Sequence, residues 1–185
     1  MPAARALTGL HGKLPAHGDF VRRGLPASFC EPWDAWLQAG MTAARSSLGP
    51  GWEAAWAAAP AWRFALPAGA CGPDPVAGIL ACSTDSVGRR FPLTLAAIAP
   101  GQAEPPWHVP WPAPWFALLE GALRQAQAEG LDADALAARL PPPGEADPTE
   151  APEPGWWTAG EPGLVWPLPA LPAPHEFVLL LDAQP

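Results

Sequence analysis

The sequence predicts an α/β protein in which helices cover a sheet. Two stretches with apolar residues at helical spacing flank three apolar stretches of strand length, and two further apolar patches follow near the C-terminus. The 28 Pro and 18 Gly among 185 residues would by themselves suggest a disordered chain. However, the 49% hydrophobic content and the 11 Trp supply the apolar surface that disordered chains lack, so a globular domain is predicted.

The first long helix is predicted over residues 29–47. Ser28 and Glu31 have the spacing of a capping box, with Ser28 as the N-cap. Gly49-Pro50-Gly51 ends this helix, and a short Ala-rich helical turn follows over residues 52–58. The apolar face of the first helix recurs at steps of three and four residues and consists of Phe29, Trp33, Trp36, Leu37, Met41, Ala44 and Leu48.

Three strands are predicted between the two helical regions. Residues 62–66 alternate in polarity, which is typical of a half-buried strand. Residues 76–83 and 91–98 are continuous apolar runs, which indicate central strands covered on both faces. The intervening residues 84–90 are polar and contain a Gly, as a loop or hairpin requires. The order of the strands in the sheet does not follow from these patterns.

A second long helix is predicted from Trp115 to Ala126, with Gly130 as its C-cap. Asp132 is placed to cap a short helix that continues to Leu140. Helices therefore lie on both sides of the strands in sequence, as a sheet covered by helices requires.

The C-terminal region differs in composition. Residues 141–155 are rich in Pro and acidic side chains, which predicts a loop or linker. The apolar residues 156–158 and 177–181 predict edge strands. We expect an α/β domain over residues 1–140, with residues 141–185 forming a loop and a C-terminal strand that complete the same domain.

The net charge of −8 divides into +2 for residues 1–99 and −10 for residues 100–185. Because no basic tract is present, nucleic acid and anionic membranes are disfavoured as partners. No apolar run approaches the roughly 20 residues of a membrane span, and charged residues interrupt the N-terminal segment where a signal peptide would be apolar. The 3 Cys are odd in number and predict no disulfide framework. We expect a cytoplasmic protein.

No catalytic, cofactor or metal site is predicted. Lys13 follows a Gly, but Leu14 stands where a phosphate loop needs Ser or Thr. His11, His17 and Asp19 have ligating side chains, yet no Cys or third His accompanies them.

A nucleophilic site is not recognisable either. No Gly-x-Ser-x-Gly motif occurs in the sequence. Cys82 lies in an apolar run and is predicted to be a core residue. Cys71 lies in a Gly/Pro loop where exposure is expected, but no His is linked to it in sequence.

The Trp residues divide into two groups. Those at positions 33, 36, 52, 56 and 62 have the spacing of core residues in their helices and strands. For the later Trp107, Trp111, Trp156 and Trp157, which lie among prolines, we expect some exposure at a protein interface.

Four motifs follow one another in the first half of the chain and cover roughly residues 9–99. Together they resemble the TagF (also called ImpM) family of type VI secretion-associated proteins. The motifs are Gly12-Lys13-Leu14-Pro15 with Gly18-Asp19-Phe20-Val21-Arg22-Arg23; Phe29-x-x-Pro32-Trp33-Asp34-x-Trp36-Leu37; Trp62-Arg63-Phe64 with Cys71-Gly72; and Asp85-x-Val87-Gly88-Arg89-x-Phe91-Pro92-Leu93-Thr94.

The resemblance implies a three-layer αβα sandwich and a post-translational regulator that is not an enzyme. TagF-like proteins restrain assembly or firing of the type VI secretion apparatus from the cytoplasm. They are thought to act through the forkhead-associated (FHA) scaffold protein, in or beside the pathway of a threonine kinase and a PP2C-type phosphatase. The alternative is a non-inhibitory assembly adaptor of the same secretion system, and an α/β hydrolase is a third hypothesis.

Charged motif residues on loops or at element ends are the predicted partner contacts, because a fold does not require charge there. They are Lys13, Asp19, Arg22, Arg23 and Arg89. For Arg89 and Asp19 the alternative is an intramolecular salt bridge or a turn cap. The apolar motif residues Trp33, Trp36, Phe64, Phe91 and Leu93 are predicted to determine the fold.

Overall fold

A computed structural model of the chain describes residues 6–100 and 110–182. Within these ranges, seven strands form one antiparallel sheet with the order β2-β1-β5-β4-β3-β6-β7. The strands are β1 (Thr8–Gly12), β2 (Val21–Arg23), β3 (Trp62–Leu66), β4 (Val76–Ala81), β5 (Leu93–Ile98), β6 (Gly155–Thr158) and β7 (Val165–Trp166). The α-helices are α1 (Ala27–Leu48), α2 (Trp52–Ala58), α3 (Ala113–Glu129) and α4 (Ala133–Arg139), and 3-10 helices span Gly49–Gly51 and Pro174–Leu181.

The two faces of the sheet belong to two separate hydrophobic cores. Along β5, Leu93, Leu95 and Ala97 pack in one core, whereas Ala96 packs in the other. The core that contains Ala96, hereafter the first core, also contains residues of α1, α2 and the C-terminal 3-10 helix. The core that contains Leu93, Leu95 and Ala97, hereafter the second core, also contains residues of α3 and α4. Because successive side chains of a strand point to opposite faces, helices cover the sheet on both sides. This is the predicted α/β sandwich.

Several predicted elements are confirmed. The strands over residues 62–66, 76–81 and 93–98 form the centre of the sheet, and the last two are covered on both faces. Gly130 ends α3 in the left-handed conformation, with φ of 63°. At the start of α4, Asp132 Oδ1 accepts a hydrogen bond of 2.8 Å from the backbone N–H of Ala135.

The predicted capping box at the start of α1 is wrong. The helix begins at Ala27 with Pro26 as the N-cap, and no side chain caps it. The Pro26 carbonyl accepts hydrogen bonds from the backbone N–H groups of Phe29 (3.1 Å) and Cys30 (3.0 Å). Ser28 therefore already lies within the helix, where its hydroxyl is not in the N-cap position.

The predicted edge strand over residues 177–181 is also wrong, because this segment lies in the 3-10 helix Pro174–Leu181. Its buried residues are Phe177, Leu180 and Leu181. Phe177 and Leu180 are three residues apart, which aligns their side chains along one side of a 3-10 helix. The edge of the sheet beyond β6 is formed instead by the two residues of β7, which the sequence analysis missed.

Residues 167–182, the C-terminal strap, are bound to the first core through indole N–H groups. The Nε1 atoms of Trp36, Trp62 and Trp156 donate hydrogen bonds of 2.7, 2.8 and 3.0 Å to the carbonyls of Pro172, Leu180 and Ala170, respectively. Proline-rich backbone has free carbonyls and no internal hydrogen bonds, so the carbonyls of Ala170 and Pro172 are available to the Trp side chains. The strap covers α1 in this way.

Gly40 in α1 makes room for the strap, because a Cβ at this position would lie 2.5 Å from Phe177 Cδ2. We expect Gly40→Val to displace Phe177 and destabilise the protein by about 1–3 kcal/mol, the usual cost of overpacking. Limited proteolysis should then remove the C-terminal strap faster than from the wild type. The matched control is Gly121→Val in α3, where an added Cβ meets no atom within 4 Å. Equal protease sensitivity of the two variants would contradict the prediction.

Candidate partner-binding site

Two loops that carry family-like motifs leave the sheet at the same end. The first motif loop (residues 13–20) follows β1, and the second motif loop (residues 84–91) precedes β5. Since β1 and β5 are antiparallel neighbours with Gly12 opposite Leu93, the end of one strand lies beside the start of the other. The sheet thus brings together two segments that are about 70 residues apart in sequence.

Asp85 connects the two motif loops. Its Oδ2 accepts hydrogen bonds from Lys13 Nζ (2.8 Å) and Arg89 Nε (2.7 Å), and its Oδ1 accepts from the backbone N–H groups of Val87 (3.1 Å) and Arg89 (2.9 Å). The side chains of Lys13 and Asp85 are only 9% and 0% exposed. A buried carboxylate with four donors both closes its own turn and fixes the neighbouring loop.

The charge state of Asp85 follows from these contacts. Burial alone would raise the pKa of its carboxyl group, but the hydrogen bonds from Lys13 and Arg89 and from the Val87 N–H outweigh burial and hold the pKa well below its usual value. Asp85 is therefore ionised at neutral pH, and its charge is balanced by Lys13 within the protein interior.

Further hydrogen bonds join the loops directly. The Ser86 backbone N–H donates to the His17 carbonyl at 2.8 Å, and the Arg89 guanidinium donates to the Gly18 carbonyl. The first motif loop is also attached to α4, since the Ala133 backbone N–H donates to His17 Nε2 at 2.9 Å. The two loops consequently form one ordered surface.

The five predicted partner contacts occupy different environments. Lys13 is buried in the ion pair with Asp85, which makes it a structural residue within this fold. Arg23 forms an ion pair of 2.6 Å with Asp134, and Arg89 is bound to Asp85 although its side chain is 58% exposed. Asp19 and Arg22 are exposed. For Arg89 the structure has the intramolecular ion pair that was the alternative; whether these residues contact a partner stays a prediction.

The sequence analysis missed two exposed apolar residues on the same surface. Phe20 is 54% exposed and Val87 is 71% exposed. Phe20 is supported from below by Phe91, whose ring lies edge-on at a centroid distance of 4.7 Å, and by Lys13, whose Nζ lies 5.2 Å from the Phe20 ring. Their signal in the sequence was an apolar residue directly after a polar one within each motif loop, since Phe20 follows Asp19 and Val87 follows Ser86.

The later tryptophans are not exposed as predicted. Trp111 and Trp156 are buried, and Trp157 is partly buried against the second core. Trp157 lies in β6, directly opposite Arg63 of β3. Trp107 lies outside the described residues.

Cys71 is buried, which overturns its predicted exposure. Burial raises the pKa of Cys71 to about 12, and burial likewise raises the pKa of Cys82 to about 12. At neutral pH both thiols are protonated and are poor nucleophiles. Cys82 is half-buried and lines a cavity of about 420 Å³ between α2 and α3. Glu120 also lines this cavity and forms an ion pair of 2.8 Å with Arg63.

Residues 6–100 and 110–182 contain neither a metal-binding cluster nor a membrane-spanning helix. No group of three His, Cys, Asp or Glu side chains in this part of the chain is arranged to hold a metal ion. Among the helices of these residues, none has the length and apolar character needed to cross a membrane.

Comparison with known proteins identifies a family and a similar solved structure. Residues 9–141 match the family described as TagF N-terminal domain, type VI secretion system-associated. The crystal structure of PA0076 from Pseudomonas aeruginosa PAO1 at 2.05 Å resolution is similar, with a TM-score of 0.70 and 32% sequence identity over 92% of this chain and 93% of that chain. No curated protein matches significantly. Because the family match includes both motif loops and more than half of the sequence, the chain belongs to the TagF family of type VI secretion system-associated proteins.

Proposed function

We propose that this protein is a cytoplasmic, post-translational negative regulator of the type VI secretion system that acts by binding the FHA scaffold protein. Association with the secretion system follows from the family. In this proposal the threonine kinase and the PP2C-type phosphatase influence the protein indirectly, through the scaffold. The protein acts by occupying a surface of the scaffold and not by chemistry on it.

The observation that carries the proposal is the ordered surface of the two motif loops. Asp85 and Lys13 hold the loops from inside, while Phe20, Val87 and Arg89 are displayed outside. A fixed loop pair with an exposed aromatic ring and an exposed Arg has features of a protein-binding site, because aromatic and Arg side chains are enriched at protein interfaces. Pre-ordering also lowers the entropic cost of association.

The alternative function is a non-inhibitory assembly adaptor, which would use the same surface. Deleting the protein from its native host distinguishes the two. We expect excess type VI secretion in the deletion strain, measured as secreted tube protein in the culture supernatant, and restoration of the low level by the wild-type protein. Lost secretion in the deletion strain would instead establish the adaptor. The complementing protein must be present at native abundance, since overproduction of an adaptor can also inhibit an assembly.

A further inference from the structure

Positive charge is concentrated on the two motif segments. Residues 12–23 and 84–91 contain five of the chain's Lys and Arg residues and two of its carboxylates, a net charge of +3, whereas the net charge of the whole chain is −8. The remainder of the chain therefore has a net charge of −11. Such a separation directs the positive end of the protein towards an acidic partner.

Ion pairs with other elements reduce this charge but do not remove it. Arg23 is paired with Asp134 of α4, and Arg90 Nη1 lies 3.3 Å from Glu53 Oε1 of α2. Arg22 remains exposed, and the Arg89 guanidinium reaches the solvent from above Asp85. Arg22 lies in β2, two residues after Phe20. The Arg89 guanidinium donates a hydrogen bond to the Gly18 carbonyl, in the loop that carries Phe20.

The exposed apolar side chains on these loops indicate that the partner surface is apolar in part. Phe20 and Val87 belong to loops that are hydrogen-bonded to each other at His17 and Ser86, so both exposed side chains lie at the same end of the sheet. Exposed aromatic and aliphatic groups gain free energy from contact with apolar side chains, whereas nucleic acid offers phosphates and stacked bases.

We infer that the motif-loop surface binds an acidic protein face that has an apolar centre. Phe20 and Val87 contact the apolar centre of that face, and Arg22 and Arg89 lie opposite its carboxylates. This inference rests on the proposed function, and it specifies the chemistry of the scaffold surface that the protein occupies. Exposed cations contribute to the association rate and its salt dependence, while the apolar contacts determine the dissociation rate.

Binding of the purified full-length FHA scaffold to immobilised protein tests the inference. The double variant Phe20→Ala/Val87→Ala should bind at least about tenfold more weakly, through faster dissociation. The matched control is Leu118→Ala/Leu179→Ala, which removes apolar groups that are 57% and 50% exposed on α3 and on the C-terminal 3-10 helix, and it should bind as the wild type does. Unchanged thermal unfolding of both double variants ensures that only the surface has been altered.

The charge arm of the experiment uses Arg22→Glu, with Arg124→Glu on α3 as its control. Arg22→Glu should slow association and reduce the dependence of the association rate on salt, and Arg124→Glu should change neither. Wild-type binding that persists in Phe20→Ala/Val87→Ala and in Arg22→Glu would overturn the surface while leaving the proposed function intact. A wild-type protein that fails to bind the scaffold would overturn both. Tight binding of a DNA duplex at this surface in place of the scaffold would also overturn the inference.

Discussion

Trp33→Ala is expected to reduce the free energy of unfolding by about 3–5 kcal/mol, because removal of a fully buried large side chain loses its transfer free energy and leaves a cavity. Trp33 belongs to α1 and is 0% exposed, and its side chain faces the sheet. Its ring contacts the rings of Phe29, Phe64 and Trp156, with centroid distances of 5.1, 4.8 and 6.1 Å. A loss of this size is a large fraction of the roughly 5–15 kcal/mol by which domains are stable, so the variant should unfold at much lower urea concentration.

The indole N–H of Trp33 contributes separately from its ring. Nε1 donates a hydrogen bond of 2.8 Å to Thr94 Oγ1, and Thr94 is itself 0% exposed. Trp33→Phe keeps most of the ring but leaves the threonine hydroxyl without this donor, and it should therefore cost less than Trp33→Ala and more than the lost area alone. Trp166→Ala is the control, since Trp166 is only partly buried beside the same core. Equal losses for Trp33→Ala and Trp166→Ala would contradict the assignment of Trp33 as the centre of the core.

The position of Trp33 could be predicted from the sequence because it depends on a local period. Apolar residues at steps of three and four define one face of α1, and alternation or apolar continuity defines the three central strands. The contact between Trp33 and Thr94 has no such signal, because it joins residues 61 positions apart. It exists only after β5 has been placed beneath α1.

The C-terminal strap shows where local reasoning fails. The segment that contains Phe177, Leu180 and Leu181 is apolar enough for a strand. It is too short for the spacing of its apolar residues to distinguish a strand from a helix. The segment is held by contacts from elements distant in sequence, such as the hydrogen bond that Trp62 Nε1 donates to the Leu180 carbonyl. Likewise, the exposure expected for Trp156 failed because its proline-rich surroundings suggested a surface, whereas it lies in β6 under the strap.

The candidate site was predicted in part. The motif residues indicated which loops matter, but charge on a loop was taken as availability to a partner. Lys13 is instead buried, because Asp85 from the second motif loop meets it across the sheet end. That pairing depends on the order of β1 and β5, which the sequence patterns did not specify. Phe20 and Val87 are the complementary case, because the sequence analysis assigned no role to these two apolar residues and both are exposed.

Asp85→Ala should destabilise the protein to a similar extent as Trp33→Ala, because it leaves the Lys13 ammonium buried without a counter-charge. It also removes the acceptor of the Val87 and Arg89 backbone N–H groups, so the second motif loop loses its turn. Arg89→Ala is the matched control. It removes one donor from the same carboxylate, but the Arg89 side chain is 58% exposed and its loss leaves the Lys13–Asp85 pair intact.

Replacement of both charges separates the ion pair from the fold. In Lys13→Met/Asp85→Ala no buried charge remains uncompensated, and the double variant should be more stable than Asp85→Ala alone. Thermal unfolding of the single and double variants measures this difference. A double variant less stable than Asp85→Ala would contradict the importance of the buried ammonium and would assign the stabilisation to the backbone hydrogen bonds.

The lowered pKa of Asp85 makes the stability of the protein depend on pH in the acidic range. The pKa of Asp85 is depressed in the folded protein, so its contribution to stability is fully present above the ordinary carboxyl pKa of about 3.9 and is lost as the pH falls towards the lower, folded value. Asp85→Asn has no such group and should lose less stability than the wild type between about pH 5 and pH 2. Carboxyl groups with lowered pKa values elsewhere, such as Asp134 beside Arg23, keep part of the dependence in both proteins. Parallel curves of stability against pH for Asp85→Asn and the wild type would mean that the pKa of the Asp85 carboxyl is not lowered in the folded protein. The ionised Asp85 would then not be the group that holds Lys13 and the two loops together.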